Sequence, residues 1–384
     1  VSAKTPTPTT KLVQADIGTD SAYGAVSPPL YLSTTYKFNG FDDMGVYDYG
    51  RGGNPNRDAL GNAVAELEGG ARGVVTASGM AAIDLVTNLM TADQLIVAPH
   101  DCYGGTHRLL TYRAQQGRLR VIFVDQNDGD ALNDALAQKP TLVMIETPSN
   151  PLMRLVDIRA ICKAAHSVGA KVVVDNTFLS PARQRPLSLG ADFVLHSTTK
   201  FLNGHSDVVG GAIVSKTEED GEALAWWANC TGVTGAPFDS FLTLRGMRTL
   251  HARMDIQERN AMAIAEFLHT HPAIEHVYYP GLKSDVGHNL MQAQQSGAGA
   301  ILSFEVAGGR NAVKTLLEST TLFQLAESLG GVESLMSHPT TMTHRGMTEE
   351  ARKIAGIKDN LVRISVGLES ETDLIEELRN ILPV

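Results

Sequence analysis

Lys200 closes the stretch Ala191 to Lys200, A-D-F-V-L-H-S-T-T-K. Phe193-Val194-Leu195 reads as a buried strand that turns polar at His196, Ser197, Thr198, Thr199 and Lys200. An amine and several hydroxyls therefore arrive at the carboxyl edge of a sheet, where open α/β sheets bind ligands. Upstream, Lys171 to Asn176 (K-V-V-V-D-N) reads as a second buried strand, ending in Asp175. A lysine and an aspartate at the ends of neighbouring strands suggest a pyridoxal phosphate site. The lysine would form the imine, and the aspartate would hold the pyridinium nitrogen. Taken alone, Asp175 reads equally well as a turn or helix cap. Lys200 is less ordinary. Most lysines are solvated, but this one sits among glycines, hydroxyls and apolar residues, where desolvation would make its amine a nucleophile.

A phosphate needs donors. Gly79 and Met80 offer backbone amides at a helix start, Ser197 and Thr199 offer hydroxyls, and Arg51 offers a guanidinium fork. A packing turn and a solvated loop arginine are the plainer readings of S-G-M and Arg51. Tyr103, in D-C-Y-G-G, could stack on a planar ring or simply pack. Arg363 stands inside the apolar run L-V-R-I-S-V-G. A charge between Val362 and Ile364 needs a partner, either a substrate carboxylate or a structural salt bridge.

The elements that must position these groups alternate. Gly73–Thr76, Leu95–Ala98, Arg120–Asp125, Thr141–Thr147, Lys171–Asn176, Phe193–Leu195 and Gly211–Ser215 read as strands. Helices read over Asp58 to Leu67, Ala81–Met90, Gly104–Gln116, Gly129–Gln138 and Asp157–Val168. Continuous apolar strands separated by helices predict a mostly parallel sheet covered on both faces. Residues 1–50 are rich in Thr and Pro and read as an arm packing on a neighbouring subunit. Residues 51–250 form the α/β domain. Residues 251–384 form a smaller α+β C-terminal domain, with helices at Met254–His269, Asn311–Glu318 and Glu371–Leu382 and strands at Ala298–Val306 and Leu361–Gly367.

Bulk properties exclude several classes. Hydrophobic residues make up 43% and charged residues 19% of the chain, as in ordinary globular proteins. A net charge of −10 argues against a nucleic acid or an anionic membrane as partner. Cys102, Cys162 and Cys230 are too far apart for a disulfide framework or a zinc site, and fit a reducing, cytoplasmic setting. The amino-terminal V-S-A-K-T-P-T-P-T-T-K lacks the apolar core of a signal peptide and, without Met, reads as trimmed. No apolar run approaches the ~20 residues of a membrane span. There is no G-x-G-x-x-G, Walker, H-E-x-x-H or C-x-x-C motif, and the histidines show no metal spacing.

At these residues the chain resembles the pyridoxal-phosphate enzymes of cysteine and methionine metabolism, the transsulfuration family. The resemblance runs nearly end to end. It is carried by Y-D-Y-G-R-G-G-N-P, S-G-M, H-D-C-Y-G-G, E-T-P-S-N-P, V-V-D-N-T-F-L-S-P, H-S-T-T-K-F-L-N-G-H-S-D-V-V-G-G, A-E-S-L-G-G-V-E-S-L and R-I-S-V-G-L-E. It implies the fold type I of PLP-dependent transferases, with a seven-stranded type of sheet. Lys200 would carry the cofactor and move protons, Asp175 would pair with the ring nitrogen with Thr177 beside it, and Tyr103 would stack on the ring and serve as a base when ionised. Gly79, Met80, Ser197 and Thr199 would hold the phosphate. Tyr49 and Arg51 would reach the phosphate in an adjacent subunit of a homotetramer, a dimer of dimers with shared active sites. Arg363 would bind the substrate α-carboxylate, helped by Asn150 and Ser328.

Within the family, β-lyases carry aromatics where this chain has Glu327 and Leu329, which implies γ-chemistry and puts Glu327 at the substrate. Leu224–Asn229 with the following G-V-T-G, and S-L-G-G-V-E-S-L-M-S-H, resemble the bacterial members that perform γ-replacement. The implied reaction joins an O-acylhomoserine, O-succinyl by preference, to L-cysteine and gives L-cystathionine. The alternative is γ-elimination of cystathionine to cysteine, 2-oxobutyrate and ammonia. One departure bears on the choice. Members that build cystathionine can carry a second arginine after the one matching Arg51, and lyases a serine; here Gly52 stands there.

Overall fold

The computed structural model describes residues 6–382. Seven strands form one sheet: β1 (Arg72–Thr76), β2 (Leu95–Pro99), β3 (Arg120–Val124), β4 (Leu142–Glu146), β5 (Lys171–Asp175), β6 (Phe193–His196) and β7 (Gly211–Ser215). Their order is β1-β7-β6-β5-β4-β2-β3. Five more make a second sheet: β8 (Ile274–Tyr278), β9 (Ile301–Val306), β10 (Gln324–Leu325), β11 (Leu335–Ser337) and β12 (Leu361–Ser365), ordered β10-β11-β12-β9-β8. The described residues divide into two compact units, 6–89 with Asp192–His251, and Met90–Ala191 with 252–382.

In the first unit, β7 runs antiparallel to both β1 and β6, so the expectation of parallel strands fails at this one. The reason is local. No helix lies between β6 and β7, and without a crossover the chain returns antiparallel. The helix Pro55–Glu68 packs on β1. It begins earlier than its apolar spacing suggests, because Asn54 caps the N–H groups of Asn56 and Arg57 and Pro55 takes the first helical position. The amino-terminal segment holds one short helix, Pro8–Gln14. Beyond it, apolar side chains stand in solvent, with Tyr23 95% and Phe41 98% exposed.

In the second unit, β5, β4, β2 and β3 are parallel, and their strands are mostly buried, as two-sided coverage requires. The second sheet explains how Arg363 lies within an apolar strand. Side chains alternate across β12. Val362 and Ile364 join a core with Leu302, Phe304, Ile264, Leu268 and Leu374. Arg363 points to the other face, in register with Ser303 of β9 and Ser337 of β11. That face meets the turn after β4, for Ser303 donates to the Pro151 carbonyl at 2.7 Å. Among the described residues no helix is long and apolar enough to cross a membrane.

Candidate active site

Each unit gathers its own set of the expected residues. In the first, β6 ends at His196 and the chain turns tightly, with the Lys200 N–H on the Ser197 carbonyl and the Gly204 N–H on the Lys200 carbonyl. The helix Gly79–Thr87 starts beside this turn, capped by the Ser78 hydroxyl, which accepts the Ala81 N–H at 3.1 Å. Gly79 and Met80 open that helix, where no preceding turn offers their N–H groups a carbonyl. A Cβ on Gly79 would lie 2.7 Å from the Ser197 Cβ, so glycine is what lets the helix start meet Ser197. The Thr199 hydroxyl accepts the Gly210 N–H at 3.0 Å, which fixes its orientation. Two helix-start amides, the positive end of a helix dipole and two hydroxyls make a cradle for a phosphate-like anion. Behind it, His196 Nε2 and Glu68 Oε1 lie 2.7 Å apart, both buried, and tie the end of β6 to the helix Pro55–Glu68.

Tyr49 and Arg51 stand together at the surface of the same unit. The guanidinium lies 5.7 Å from the Tyr49 ring centroid, and its Nε donates to Asn229 Oδ1 at 3.0 Å.

In the second unit, the parallel register sets Glu146 of β4 opposite Asp175 of β5. The Asp175 carboxylate accepts the Thr177 N–H at 3.0 Å. Glu146 is buried and uses both oxygens: Oε2 accepts the Tyr103 N–H at 2.8 Å and Oε1 the Asn150 N–H at 3.3 Å. Burial, with the charge of Asp175 next, pushes its pKa up against those two bonds. Burial also pushes up the neighbouring Cys102 thiol, with Glu146 adding to the shift, which makes that cysteine a poor nucleophile. The Tyr103 ring is 41% exposed.

Arg363 is 2% exposed. One terminal nitrogen donates to Asn150 Oδ1 at 2.9 Å and the other to the Ser328 carbonyl at 2.8 Å, while Nε has no partner. Among the described residues no carboxylate forms an ion pair with it. Burial pushes its pKa down to about 10, opposed by the charge of Glu327 and by Tyr103, so it remains a cation at neutral pH. Ser328 holds φ at +89°, a conformation that serine adopts only under constraint. Arg363, Asn150, Ser328 and Tyr103 thus gather in one place, with Glu327 exposed at its edge.

Two residues here were not singled out in the sequence. Glu146 ends an apolar strand within E-T-P-S-N-P, a signal that was available. His344 left none. Its Nε2 lies 3.0 Å from the Asn150 carbonyl and its Nδ1 2.8 Å from the Thr343 hydroxyl. Burial, then the charge of Arg363, push its pKa from 6.5 down to about 4. Between these values the unfolded chain takes up a proton that the folded chain refuses, so stability falls as pH drops through that window. The contribution is up to about 3 kcal/mol. Between pH 7 and pH 4.5, H344Q should lose less melting temperature than the wild type; equal losses would contradict this.

Comparison with known proteins extends the geometry. Residues 9–382 match the family model described as Cys/Met metabolism PLP-dependent enzyme. The cystathionine gamma-synthase of Escherichia coli strain K12 is 55% identical over 96% of both chains. The cystathionine gamma-lyase of Dictyostelium discoideum is 43% identical over 97% of both. The crystal structure of cystathionine gamma synthase from Xanthomonas oryzae pv. oryzae in complex with cystathionine superposes with a TM-score of 0.97, at 55% identity over 98% of each chain.

Proposed function

The chain belongs to the Cys/Met metabolism PLP-dependent enzymes, and from that premise we propose that it forms L-cystathionine by γ-replacement between an O-acylhomoserine, O-succinyl by preference, and L-cysteine. Pyridoxal 5'-phosphate is its cofactor and fold type I of the PLP-dependent transferases its fold. The residues present fit that group: the amide-and-hydroxyl cradle at Gly79 suits its phosphate, and Asp175 suits a pyridine nitrogen. When bound, the cofactor supplies an electron sink that acidifies the Cα and Cβ protons of the amino acid.

The observation that carries this reading is Arg363, a buried guanidinium with no carboxylate paired to it among the described residues and an Nε without a partner. It is built to take a carboxylate from a ligand. The γ-replacement class follows the likeness to the Escherichia coli enzyme. Lys200 would hold the cofactor through its amine and would move the Cα proton. Asp175 would pair with the ring nitrogen, with Thr177 beside it. Tyr103 would stack on the ring and serve as a base near the substrate amine. Gly79, Met80, Ser197 and Thr199 bind the phosphate, Asn150 and Ser328 orient Arg363, and Glu327 borders the substrate.

We also assign Tyr49 and Arg51 to the phosphate of an adjacent subunit in a homotetramer, with 1–50 as the arm, 51–250 as the cofactor domain and 251–384 as the C-terminal domain. The exposed apolar side chains of the arm support an assembly. The absence of paired cysteines, all three being free, supports a cytoplasmic setting.

Gly52 counts against a succinyl donor and so leaves γ-elimination of cystathionine as a second reading. A Cβ there would find only ordinary contacts, 3.5 Å from the Tyr49 carbonyl, so no crowding keeps an arginine out. The chain lacks at that position a cation for a succinyl carboxylate. The test is product analysis: O-succinylhomoserine with cysteine should yield cystathionine in a PLP-dependent manner. No cystathionine from either O-succinyl- or O-acetylhomoserine would overturn the assignment.

A further inference from the structure

Asn150 is held on three sides. Its Oδ1 accepts from Arg363, its N–H donates to Glu146 Oε1, and its carbonyl lies 3.0 Å from His344 Nε2. A carbonyl can only accept, so His344 carries its proton on Nε2. Its Nδ1 then accepts from the Thr343 hydroxyl. Glu146 reaches further, because its second oxygen holds the Tyr103 N–H. We propose that Glu146 and His344 are positioning residues that hold the Asn150 backbone, one at its N–H and the other at its carbonyl, and so aim Arg363 at the substrate carboxylate, Glu146 also fixing Tyr103. This rests on the reading that Arg363 binds a carboxylate and Tyr103 covers the cofactor.

The chemistry of the two grips differs. Glu146 needs two accepting oxygens. In Glu146→Gln one of them becomes an NH2 facing an N–H, so one bond is replaced by a clash of donors. His344 needs one donor at the reach of Nε2. Glutamine can supply it there, asparagine falls short, and alanine has none.

The test uses the PLP-loaded enzyme and, separately, cofactor titration of the apoprotein. H344A should raise the KM for the amino acid about tenfold, with kcat changed less, and H344Q should recover most of that loss. PLP affinity should be unchanged in both. E146Q should raise KM and also weaken PLP binding about tenfold, since Tyr103 loses its anchor. Should H344A not fold, H344Q against H344N makes the same comparison. A purely structural role would lower the melting temperature and leave KM and PLP affinity alone. That outcome, or H344Q no better than H344A or H344N, overturns the inference. A wild-type protein that binds no PLP would instead refute the functional reading beneath it.

Discussion

Exchanging Lys200 for alanine should erase the visible absorbance of the PLP-loaded protein and lower turnover by about 10³-fold or more. The size of the effect follows from the double duty proposed for one amine, which would hold the cofactor and move the substrate's Cα proton. The helix-start amides at Gly79 and Met80 and the hydroxyls of Ser197 and Thr199 would remain, so phosphate affinity should survive in part. Far-UV circular dichroism should be unchanged, because the Lys200 backbone bonds to Ser197 and Gly204 do not involve its side chain. A visible band at full strength in K200A would remove Lys200 from its role.

Arg363 should give the second largest effect. Its guanidinium is buried, has no ion-pair partner among the described residues and leaves its Nε unpartnered. Removing one member of a buried charge pair costs roughly 2–5 kcal/mol, so R363A should lower kcat/KM about 10²- to 10³-fold. Most of that loss should appear in KM, because a carboxylate held by Arg363 would be bound in ground and transition states alike. R363K keeps the charge but not the planar fork that meets Asn150 and Ser328 together, and should fall between the two. If R363A left KM near its wild-type value, Arg363 would be an internal structural cation instead.

Much of this site was legible because strands end where chemistry begins. Val172 to Val174 and Phe193 to Leu195 are apolar runs that stop at Asp175 and His196, and both are strands of the main sheet. Arg363 was legible only as a problem. The sequence places it between apolar neighbours, and only the alternation of β12 shows them on the core face and the charge on the other. Glu146 and His344 illustrate what local reading cannot reach. Asn150 meets His344 across about half the chain, and no periodicity records such a contact.

Some misses had signals. The helices Glu218–Thr231 and Pro237–Met247 were not read as helices, although Thr217 caps the first and Gly232 ends it in a left-handed conformation. The strands β10 and β11, two and three residues long, are too short for any period to show. The antiparallel course of β7 depended on the missing crossover helix rather than on the strand's own residues.

The most direct measurement sets the two directions of cystathionine chemistry against each other in one PLP-loaded preparation. The kcat/KM for O-succinylhomoserine with saturating cysteine is compared with that for cystathionine alone. The likeness to the Escherichia coli enzyme predicts that γ-replacement is the more efficient. Faster turnover of cystathionine would contradict the account and make the chain a lyase.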